Sequence, residues 1–211
     1  VDGRSMDKDE ISQFFNQEVA YGRYGRTLKN GEIGCTLSHI MCSKLLLQSE
    51  DNCALVFEDD LVLGVDIHNV IESCSLYMAS EKPIIVLLSG DYWWTRLIRT
   101  GDCTLAKVRE AVCSQAYFIN RSAARILCNS SHEHLADDWF FIKKNGIEVL
   151  AVYPHVADQN RADFNTEISD EYLGVNRSNL RLWKRIHSYW RAIVKHCLAR
   201  VNHFESKSFR M

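Results

Sequence analysis

The stretch that most constrains the fold is a short apolar run followed directly by three acids, NCALVFEDDLVL over residues 52–63. Its apolar residues, Cys53 to Phe57, are flanked by polar ones, which is typical of a strand buried on both faces. The run ends in Glu58, Asp59 and Asp60, whose adjacent carboxylates repel one another. Open α/β sheets bind ligands at the carboxyl ends of strands, and hard divalent cations bind carboxylate oxygens. The stretch therefore predicts a metal site that also carries phosphate oxygens, with a solvated acidic turn as the alternative.

Apolar runs and helical patterns alternate along the chain up to about residue 153, which predicts an α/β fold with a mostly parallel central sheet. Further buried strands are predicted over residues 84–88, 115–119 and 147–153. Helices are predicted over residues 6–16, 32–49, 66–80, 122–128 and 137–144. In the second of these helices, a largely apolar stripe is formed by Ile33, Leu37, Ile40, Met41, Lys44 and Leu45. Residues 18–31 are predicted as a loop, residues 91–109 show no readable period, and residues 154–175 are predicted as a polar loop.

Composition indicates one domain with an appendage. The chain has 211 residues with a hydrophobic fraction of 46%, which is sufficient for a full core. No run of eighteen apolar residues is present, so we expect no membrane-spanning helix, and no signal peptide is visible after Val1. The eight cysteines include no Cys-x-x-Cys pair, and several lie in apolar runs. We therefore expect free thiols in a reduced, cytosolic chain without a structural zinc site.

The charge is distributed unevenly along the chain. From Asn176 onward there are nine Lys or Arg residues and one acid, Glu205, whereas the first 175 residues contain 16 basic and 26 acidic residues. We therefore predict an acidic domain over residues 1–175 and a basic helical tail over residues 176–211, which meet different partners.

The tail repeats apolar residues at helical three-four spacing over residues 180–201. Tryptophans lie on its apolar side and cations largely on other faces, which is typical of a helix at an anionic membrane surface. A helix packed on the core is the alternative. If the membrane interpretation holds, a chain ending at Gly174 should stay folded. The apolar positions are Leu182, Trp183, Ile186, Trp190, Ile193, Val194, Cys197, Leu198 and Val201, and the cations are Arg181, Lys184, Arg185, Arg191 and Lys195.

Five segments occur in the order found in one enzyme family. The most specific pair is GEIGCTLSH over residues 31–39 followed by ALVFEDD over residues 54–60. VDGR at residues 1–4, QAYFINRSAA at residues 115–124 and ADDWF at residues 136–140 also fit. On these segments the chain resembles glycosyltransferase family 25. That family contains lipooligosaccharide and lipopolysaccharide sugar transferases of Gram-negative bacteria, and animal collagen galactosyltransferases are related to it.

The resemblance implies a GT-A-like nucleotide-sugar fold, a UDP-hexose donor and a Mn²⁺ or Mg²⁺ ion. It implies inverting transfer of galactose or glucose to a lipid-linked glycan, with no nucleic-acid partner. The enzyme would lie in the cytoplasm on the inner face of the bacterial inner membrane, attached through the C-terminal helix. Family members also carry a strand–helix–strand unit before the VDGR segment, whose first strand helps to hold the nucleotide base. We expect that unit to be missing from the chain as given.

The resemblance further implies a set of metal ligands. Asp60 is the leading ligand and Glu58 the second. His155 follows the fourth predicted strand, where such enzymes often supply a last ligand, and Asp158 and Gln159 are close alternatives. A loop histidine without a metal is the other interpretation of His155.

Donor binding is expected to involve residues around the metal site. Asp59 would bind ribose or donor hydroxyls, and Ser38 and His39 would hydrogen-bond the nucleotide or a phosphate. Arg26, with Arg23, would meet the diphosphate. The alternatives are a satisfied core histidine and solvated arginines.

An inverting transfer needs one general base that faces the acceptor hydroxyl. Asp137 and Asp138 precede a short helix, so one carboxylate can cap the helix while the other acts. By the family pattern we expect Asp138 to be the base. Tyr92, Trp93 and Trp94 would form a platform for an acceptor sugar or, alternatively, belong to the core.

Two other functions fit the same residues. One is a collagen-type hydroxylysine galactosyltransferase of a secretory compartment, for which Asn120, Asn129 and Asn176 begin Asn-x-Ser sequons. The other is an inactive module that binds sugar nucleotides, as expected if the first strand is missing. Binding of UDP without transfer distinguishes the second from an enzyme.

Overall fold

The computed structural model describes residues 1, 5–64, 67–112, 114–130, 133–159 and 175–206. The helices are α1 (Lys8–Phe14), α2 (Gln17–Tyr24), α3 (Asn30–Gln48), α4 (Ile67–Met78), α5 (Arg121–Asn129), α6 (Trp139–Lys144) and α7 (Leu182–Arg200). The strands are β1 (Cys53–Phe57), β2 (Leu61–Leu63), β3 (Ile84–Leu87), β4 (Tyr92–Thr100), β5 (Cys103–Ala111), β6 (Ala116–Asn120), β7 (Glu148–Tyr153), β8 (Ala157–Gln159) and β9 (Phe204–Glu205). Most of the loop predicted over residues 154–175 lies outside the described residues, as do residues 207–211 of the tail.

Seven strands form one sheet in the order β1-β6-β3-β7-β5-β4-β9. Among the pairings of the described strands, only β3 with β7 is parallel, so the expectation of a mostly parallel sheet is wrong. The prediction failed because a fully apolar run shows that both faces of a strand are buried but does not show the direction of its neighbours. The coarser prediction of a mixed α/β fold is confirmed.

The segment without a readable period, residues 91–109, belongs to the longest hairpin of the sheet. β4 and β5 have nine residues each, and Gly101 lies between them with a positive φ of 54°. Tyr92 and Trp94 are buried there, and the Tyr92 hydroxyl donates to the Val152 carbonyl at 2.5 Å. These two rings therefore belong to the core and do not form an exposed sugar platform.

The sheet lies between two hydrophobic layers, and β3 contributes to both. Ile85 and Leu87 pack with residues of α3, α5 and α6 on one face, while Ile84 and Val86 pack with residues of α4 on the other. This two-sided burial explains why the strands read as continuous apolar runs. The predicted loop over residues 18–31 is wrong in part, because α2 occupies Gln17–Tyr24 and packs in a third cluster with α1 and the start of α3.

A two-stranded sheet of β2 and β8 lies beyond the acids that end β1. Leu61 pairs with Gln159 in this antiparallel ladder, which brings Gln159 next to Asp60. A tertiary pairing, invisible to local patterns, thus places a residue from late in the chain at the strand-end acids.

The C-terminal tail contains one long helix, α7, followed by β9, which pairs with the edge strand β4. Within the described residues, no helix is both long and apolar enough to cross a bilayer. None of the nineteen residues of α7, all of them described, is buried. The helix therefore lies on the surface of the body and does not pass through its core.

Candidate active site

The start of α3 is fixed by a buried ion pair. Both Glu32 oxygens accept hydrogen bonds from the Arg26 guanidinium, at 2.7 and 2.8 Å, and Glu32 also accepts from the Lys29 backbone N–H at 2.8 Å. Burial would raise the pKa of Glu32, but these hydrogen bonds outweigh it and hold the pKa below its ordinary value. Arg26, expected to meet a diphosphate, is thus placed where it holds the N-terminus of α3.

His39 connects the middle of α3 to the sheet and to the first acid. Its Nδ1 lies 2.8 Å from the Tyr117 hydroxyl, and its Nε2 lies 3.3 Å from Glu58 Oε1. Burial raises the pKa of Tyr117 far above its usual range, so the phenol keeps its proton and can donate it to Nδ1. In that arrangement the imidazole presents an Nε2–H to the Glu58 carboxylate.

Glu58 is held at the end of β1 by two donors. Besides His39, the Ser114 hydroxyl donates to its Oε1 at 2.8 Å. Burial would raise the pKa of Glu58, but the hydrogen bonds from His39 and Ser114 outweigh it and lower the pKa. Glu58 is therefore an ionised and oriented carboxylate at neutral pH.

Asp60 is more enclosed than its neighbour Asp59. Gln159 Nε2 donates to Asp60 Oδ2 at 2.6 Å, and Gln115 Nε2 donates to Gln159 Oε1 at 3.2 Å. The other oxygen, Asp60 Oδ1, is buried and has no hydrogen-bond partner within the part of the chain that the structure describes. Asp59 is exposed. A buried carboxylate oxygen without a donor is suited to a cation, and carboxylate and amide oxygens are the ligands that Mn²⁺ and Mg²⁺ prefer, so Asp60 and Glu58 fit such an ion.

His155 pairs with an acid of the C-terminal strand β9. It is buried, and its Nδ1 lies 2.7 Å from Glu205 Oε1 on β9. Among the described residues, the one group of three or more possible ligands within 4.8 Å of one another is Cys35, His39 and Glu58. The expected set of Asp60, Glu58 and His155 is thus not assembled.

The thiol of Cys35 lies within 4.8 Å of His39 and Glu58 and is also influenced by the charge of Asp137. The pKa of its thiol is raised to about 12, first by burial and then by the negative charges of Glu58, Asp137 and Glu32. The thiol is neutral at physiological pH. Glu58 follows β1 and Asp137 precedes α6, so the fold brings together acids that are 79 positions apart in the sequence.

Asp138 acts as the N-cap of α6. Its Oδ1 accepts from the Phe141 backbone N–H at 3.1 Å, and its Oδ2 accepts from the Tyr24 hydroxyl at 2.8 Å. Tyr24 in turn accepts from the Leu135 N–H at 2.9 Å. Burial and the Asp138 charge raise the pKa of Tyr24 well above its usual range, so it remains a donor. Both oxygens of the expected base are therefore engaged in structure.

Ser38 lies on the same helix as His39. Its hydroxyl donates to the Gly34 carbonyl at 2.9 Å and accepts from the Val1 backbone nitrogen at 2.7 Å.

A cleft of about 380 Å³ opens between α6 and α7, and Asp137 and Asp138 line it. α7 forms one wall of this cleft and packs on the body through its polar face. Arg191 makes a bidentate pair with the buried Glu110 at 2.6–3.1 Å, and Lys195 Nζ lies 4.7 Å from the centre of the Trp93 ring. The Lys184 ammonium donates to the Gly22 carbonyl.

The apolar face of α7 consequently points away from the body. Six side chains on it, here named the α7 ridge, are each 51–71% exposed. The helix therefore packs on the body through its polar face, whereas the alternative considered for the sequence had its apolar face packed on the core. Three cations that were predicted to face the membrane, Lys184, Arg191 and Lys195, contact the protein instead. The α7 ridge consists of Leu182, Trp183, Ile186, Tyr189, Trp190 and Ile193.

Sequence reasoning missed several residues of this site. Cys35 lies four residues before His39 on one helix, so helical spacing combined with the motif was sufficient to identify it. Ser114, Tyr117 and Tyr24 reach the acids through strand and helix packing, for which the sequence carries no local signal.

Comparison with known proteins gives one family. The model of glycosyltransferase family 25, described as an LPS biosynthesis protein, matches residues 1–141. No curated protein matches the chain. A crystal structure of a Bacillus anthracis protein, assigned as a glucose-1-phosphate thymidylyltransferase and complexed with sucrose, is 11% identical. It aligns over 78% of this chain and 76% of that one with a TM-score of 0.38, a similarity too low to indicate function.

Proposed function

The chain belongs to glycosyltransferase family 25 of LPS biosynthesis, and we propose that it transfers a hexose, galactose or glucose, from a UDP-sugar to a hydroxyl of a lipid-linked glycan. The observation that carries this proposal is the placement of Glu58 within 4.8 Å of Cys35 and His39 of α3, together with Asp137 on the wall of the cleft. Glu58 lies two residues before Asp60, whose Oδ1 is buried without a hydrogen-bond partner among the described residues. Asp137 lines an open cleft. That pair of environments suits binding of a leaving diphosphate on one side and of an acceptor on the other.

Asp60 and Glu58 would hold a Mn²⁺ or Mg²⁺ ion, which supplies charge neutralisation to the leaving diphosphate when bound. His39 and Ser114 keep Glu58 ionised and fix its direction. Gln159 holds one oxygen of Asp60, and the other has no hydrogen-bond donor among the described residues. These contacts pre-orient the carboxylates before the donor arrives.

The transfer is written as a single displacement with inversion. The acceptor hydroxyl oxygen forms a bond to the anomeric carbon while the bond from that carbon to the UDP oxygen breaks, and UDP leaves with the bonding electrons. The hydroxyl proton passes to a carboxylate, and we assign this role to Asp137 instead of Asp138. Both acids line the cleft, but the two Asp138 oxygens accept hydrogen bonds from the Phe141 N–H and the Tyr24 hydroxyl and so hold the start of α6.

The test is a transfer assay with a panel of UDP-sugars and core oligosaccharides from lipopolysaccharide as acceptors. Asp60→Asn should reduce the rate by about a hundredfold or more, as for loss of a preorganised electrostatic group. It should also weaken Mn²⁺ binding measured by electron paramagnetic resonance. Asp59→Asn, a matched change at an exposed carboxylate, should cost less than Asp60→Asn.

Three outcomes contradict the proposal. UDP binding by calorimetry without transfer to any acceptor indicates a sugar-nucleotide binding module. Transfer to hydroxylysine peptides alone indicates a collagen-type enzyme. Full transfer activity of the unaltered chain in excess chelator, or full activity of the Asp60→Asn variant, removes the metal from the mechanism.

The second part of the proposal is that the α7 ridge lies on the inner face of the bacterial inner membrane, where a lipid-linked acceptor is found. The ridge exposes a stripe of apolar and aromatic side chains, and the exposed Arg181, Arg185 and Arg200 complement an anionic surface. Each such cation contributes about 1 kcal/mol near anionic lipid. Because Lys184, Arg191 and Lys195 contact the protein, apolar insertion is the larger contribution and the salt dependence should be modest.

Vesicle co-sedimentation tests this attachment. The full chain should sediment with phosphatidylglycerol vesicles, and Trp190→Ser should lower the partition coefficient about tenfold or more, since burying a large side chain contributes about 1.5–3 kcal/mol. Leu97→Ser, at an exposed leucine of β4, is the matched control and should leave binding unchanged. Equal sedimentation of both variants, or none of the unaltered chain, would exclude the ridge as a membrane contact.

A further inference from the structure

The cleft between α6 and α7 contains more positive than negative charge. It is lined by Arg23 of α2, Lys144 of α6, and Lys184 and Arg191 of α7, whereas its acids are Asp137 and Asp138. Glu110 neutralises Arg191. Within the described residues, Arg23, Lys144 and Lys184 have no carboxylate within ion-pair distance. Three cations without an ion-pair partner among the described residues are therefore available to bind an anionic ligand in the cleft.

Arg23 is held in place for binding by a ring and not by an acid. Its guanidinium carbon lies 3.7 Å from the centre of the Phe141 ring, and its Nη1 is buried without a hydrogen-bond partner among the described residues. Lys144 Nζ similarly lies 5.1 Å from the centre of the Phe140 ring. A buried donor without an acceptor is unfavourable unless a ligand supplies one.

The cations also act on one another. Burial, followed by the charges of Arg23, Arg181 and Lys144, lowers the pKa of Lys184. Burial, followed by the charges of Arg191 and Lys144, lowers the pKa of His187 on the same wall. An anion that enters the cleft would relieve this repulsion.

We propose that the α6–α7 cleft binds an anionic group, a phosphate or carboxylate on the acceptor sugar, through Arg23 and Lys144. The ring of Phe140, which lines the cleft, contacts the apolar face of that sugar, and Trp183 lines the cleft as well. The anion anchor sets the acceptor hydroxyl beside Asp137. This inference rests on the proposed transferase function and adds to it a class of acceptor, an acidic sugar. The same chemistry would also accept the diphosphate of the donor, which the experiment separates.

Binding is measured by NMR on the full chain, from the Trp183 indole N–H resonance, which the Trp183→Phe variant assigns. Glucose 6-phosphate and glucuronic acid should shift this resonance at concentrations at least about tenfold below those that glucose requires. Arg23→Gln and Lys144→Gln should each weaken glucose 6-phosphate binding about tenfold or more, as for loss of a charge-assisted hydrogen bond. Arg99→Gln, the same charge change at an exposed position of β4, should leave binding unchanged.

Kinetics then distinguish the two sources of the anion. Glucose 6-phosphate should inhibit transfer competitively with the acceptor and not with the UDP-sugar. Displacement of glucose 6-phosphate from the cleft by UDP with Mn²⁺ would assign the cleft to the donor and overturn the inference. Equal binding of glucose and glucose 6-phosphate, or equal binding by Arg23→Gln and Arg99→Gln, would also overturn it. If binding holds but no donor supports transfer, the proposed function fails and the anion site stands.

Discussion

Helices α3 and α7 have nineteen residues each, but they pack on the body in opposite ways. α3 buries seven of its residues, including Ile33 and Ile40, and presents His39 to an acid at its edge. α7 buries none, contacts the body through Arg191 and Lys195, and exposes its apolar side chains. Three-four spacing thus separates the two faces of a helix but does not determine which face packs.

The surface under each helix explains the difference. α3 covers an apolar face of the sheet, where Ile85 and Tyr117 lie. α7 covers the outer surface of the β4–β5 hairpin, where Glu110 is 3% exposed and Trp93 offers a ring. A buried carboxylate requires a partner, so cations turn inward there. We therefore expect substitutions near the edge of α3 to lower the transfer rate. Substitutions on the inner face of α7 should instead weaken the packing of this helix on the body.

The largest effect is expected for Asp137, which lines the cleft beside α7. Asp137→Asn should lower the transfer rate by about 10²–10⁴-fold, the usual loss for a general base, with little change in UDP-sugar affinity. Asp138→Asn should instead cost stability, about 1 kcal/mol, because an amide has one acceptor oxygen and cannot accept from both the Phe141 N–H and the Tyr24 hydroxyl. Rates come from single-turnover transfer, and stabilities from urea denaturation.

The reverse order would restore the expectation drawn from the sequence. If Asp138→Asn loses more rate than Asp137→Asn at equal folded fraction, Asp138 is the base and its bond to Tyr24 is part of the chemistry. Tyr24→Phe separates these cases, because it removes the hydroxyl from Asp138 without altering charge.

A smaller effect is expected at the inner face of α7. Arg191→Gln leaves the buried Glu110 unpaired and should lower the free energy of unfolding by about 3 kcal/mol. It should also increase amide hydrogen exchange along residues 182–200. Arg185→Gln is the matched control, since Arg185 is exposed on the same helix. Equal stability of the two variants would show that the polar face does not hold α7 to the body.

The same contacts change the expectation for a shortened chain. A chain ending at Gly174 would lose the partner of Glu110 and also Glu205, which is buried against His155. We therefore expect that chain to be destabilised, whereas the sequence alone suggested that it stays folded.

Much of the fold could be read locally from the sequence. The buried strands and the helices between them follow from apolar runs and periodicity, and the family segments identified the family over residues 1–141. The direction of the strands could not be read from the sequence. The β4–β5 hairpin could not be read either, because its apolar residues alternate between the two faces only irregularly. The register shifts near Trp93 and Trp94 disturb the period of two that marks a strand.

The site was predictable as a set of acids but not as a set of contacts. The acids lie in two of the family segments and next to predicted strands or helices. They are Glu58, Asp60, Asp137 and Asp138. Their partners Ser114, Tyr24 and Gln159 come from elsewhere in the chain, so only the packed structure shows that Asp138 is capped and tied. Such tertiary donors determine which hydrogen bonds each acid makes.

The smallest effect concerns acid stability at the start of α3. The folded chain holds the pKa of Glu32 below its ordinary value, so this residue contributes stability that is fully present above the ordinary pKa of 4.5 and is lost as the pH falls through the lower, folded value. Glu32→Gln imitates the protonated state. At pH 7 it should reduce the free energy of unfolding by about 1.5 kcal/mol, the value of hydrogen bonds to a charged group.

The difference between the two chains should narrow as the pH is lowered below 4.5, because the unaltered Glu32 then becomes neutral as well. Urea denaturation at several pH values between 7 and 3 measures this difference in the free energy of unfolding. Glu10→Gln, in the exposed capping box of α1, is the matched control on another helix. A gap that stays constant or widens on acidification would show that the Arg26–Glu32 pair does not fix the start of α3 through its charge.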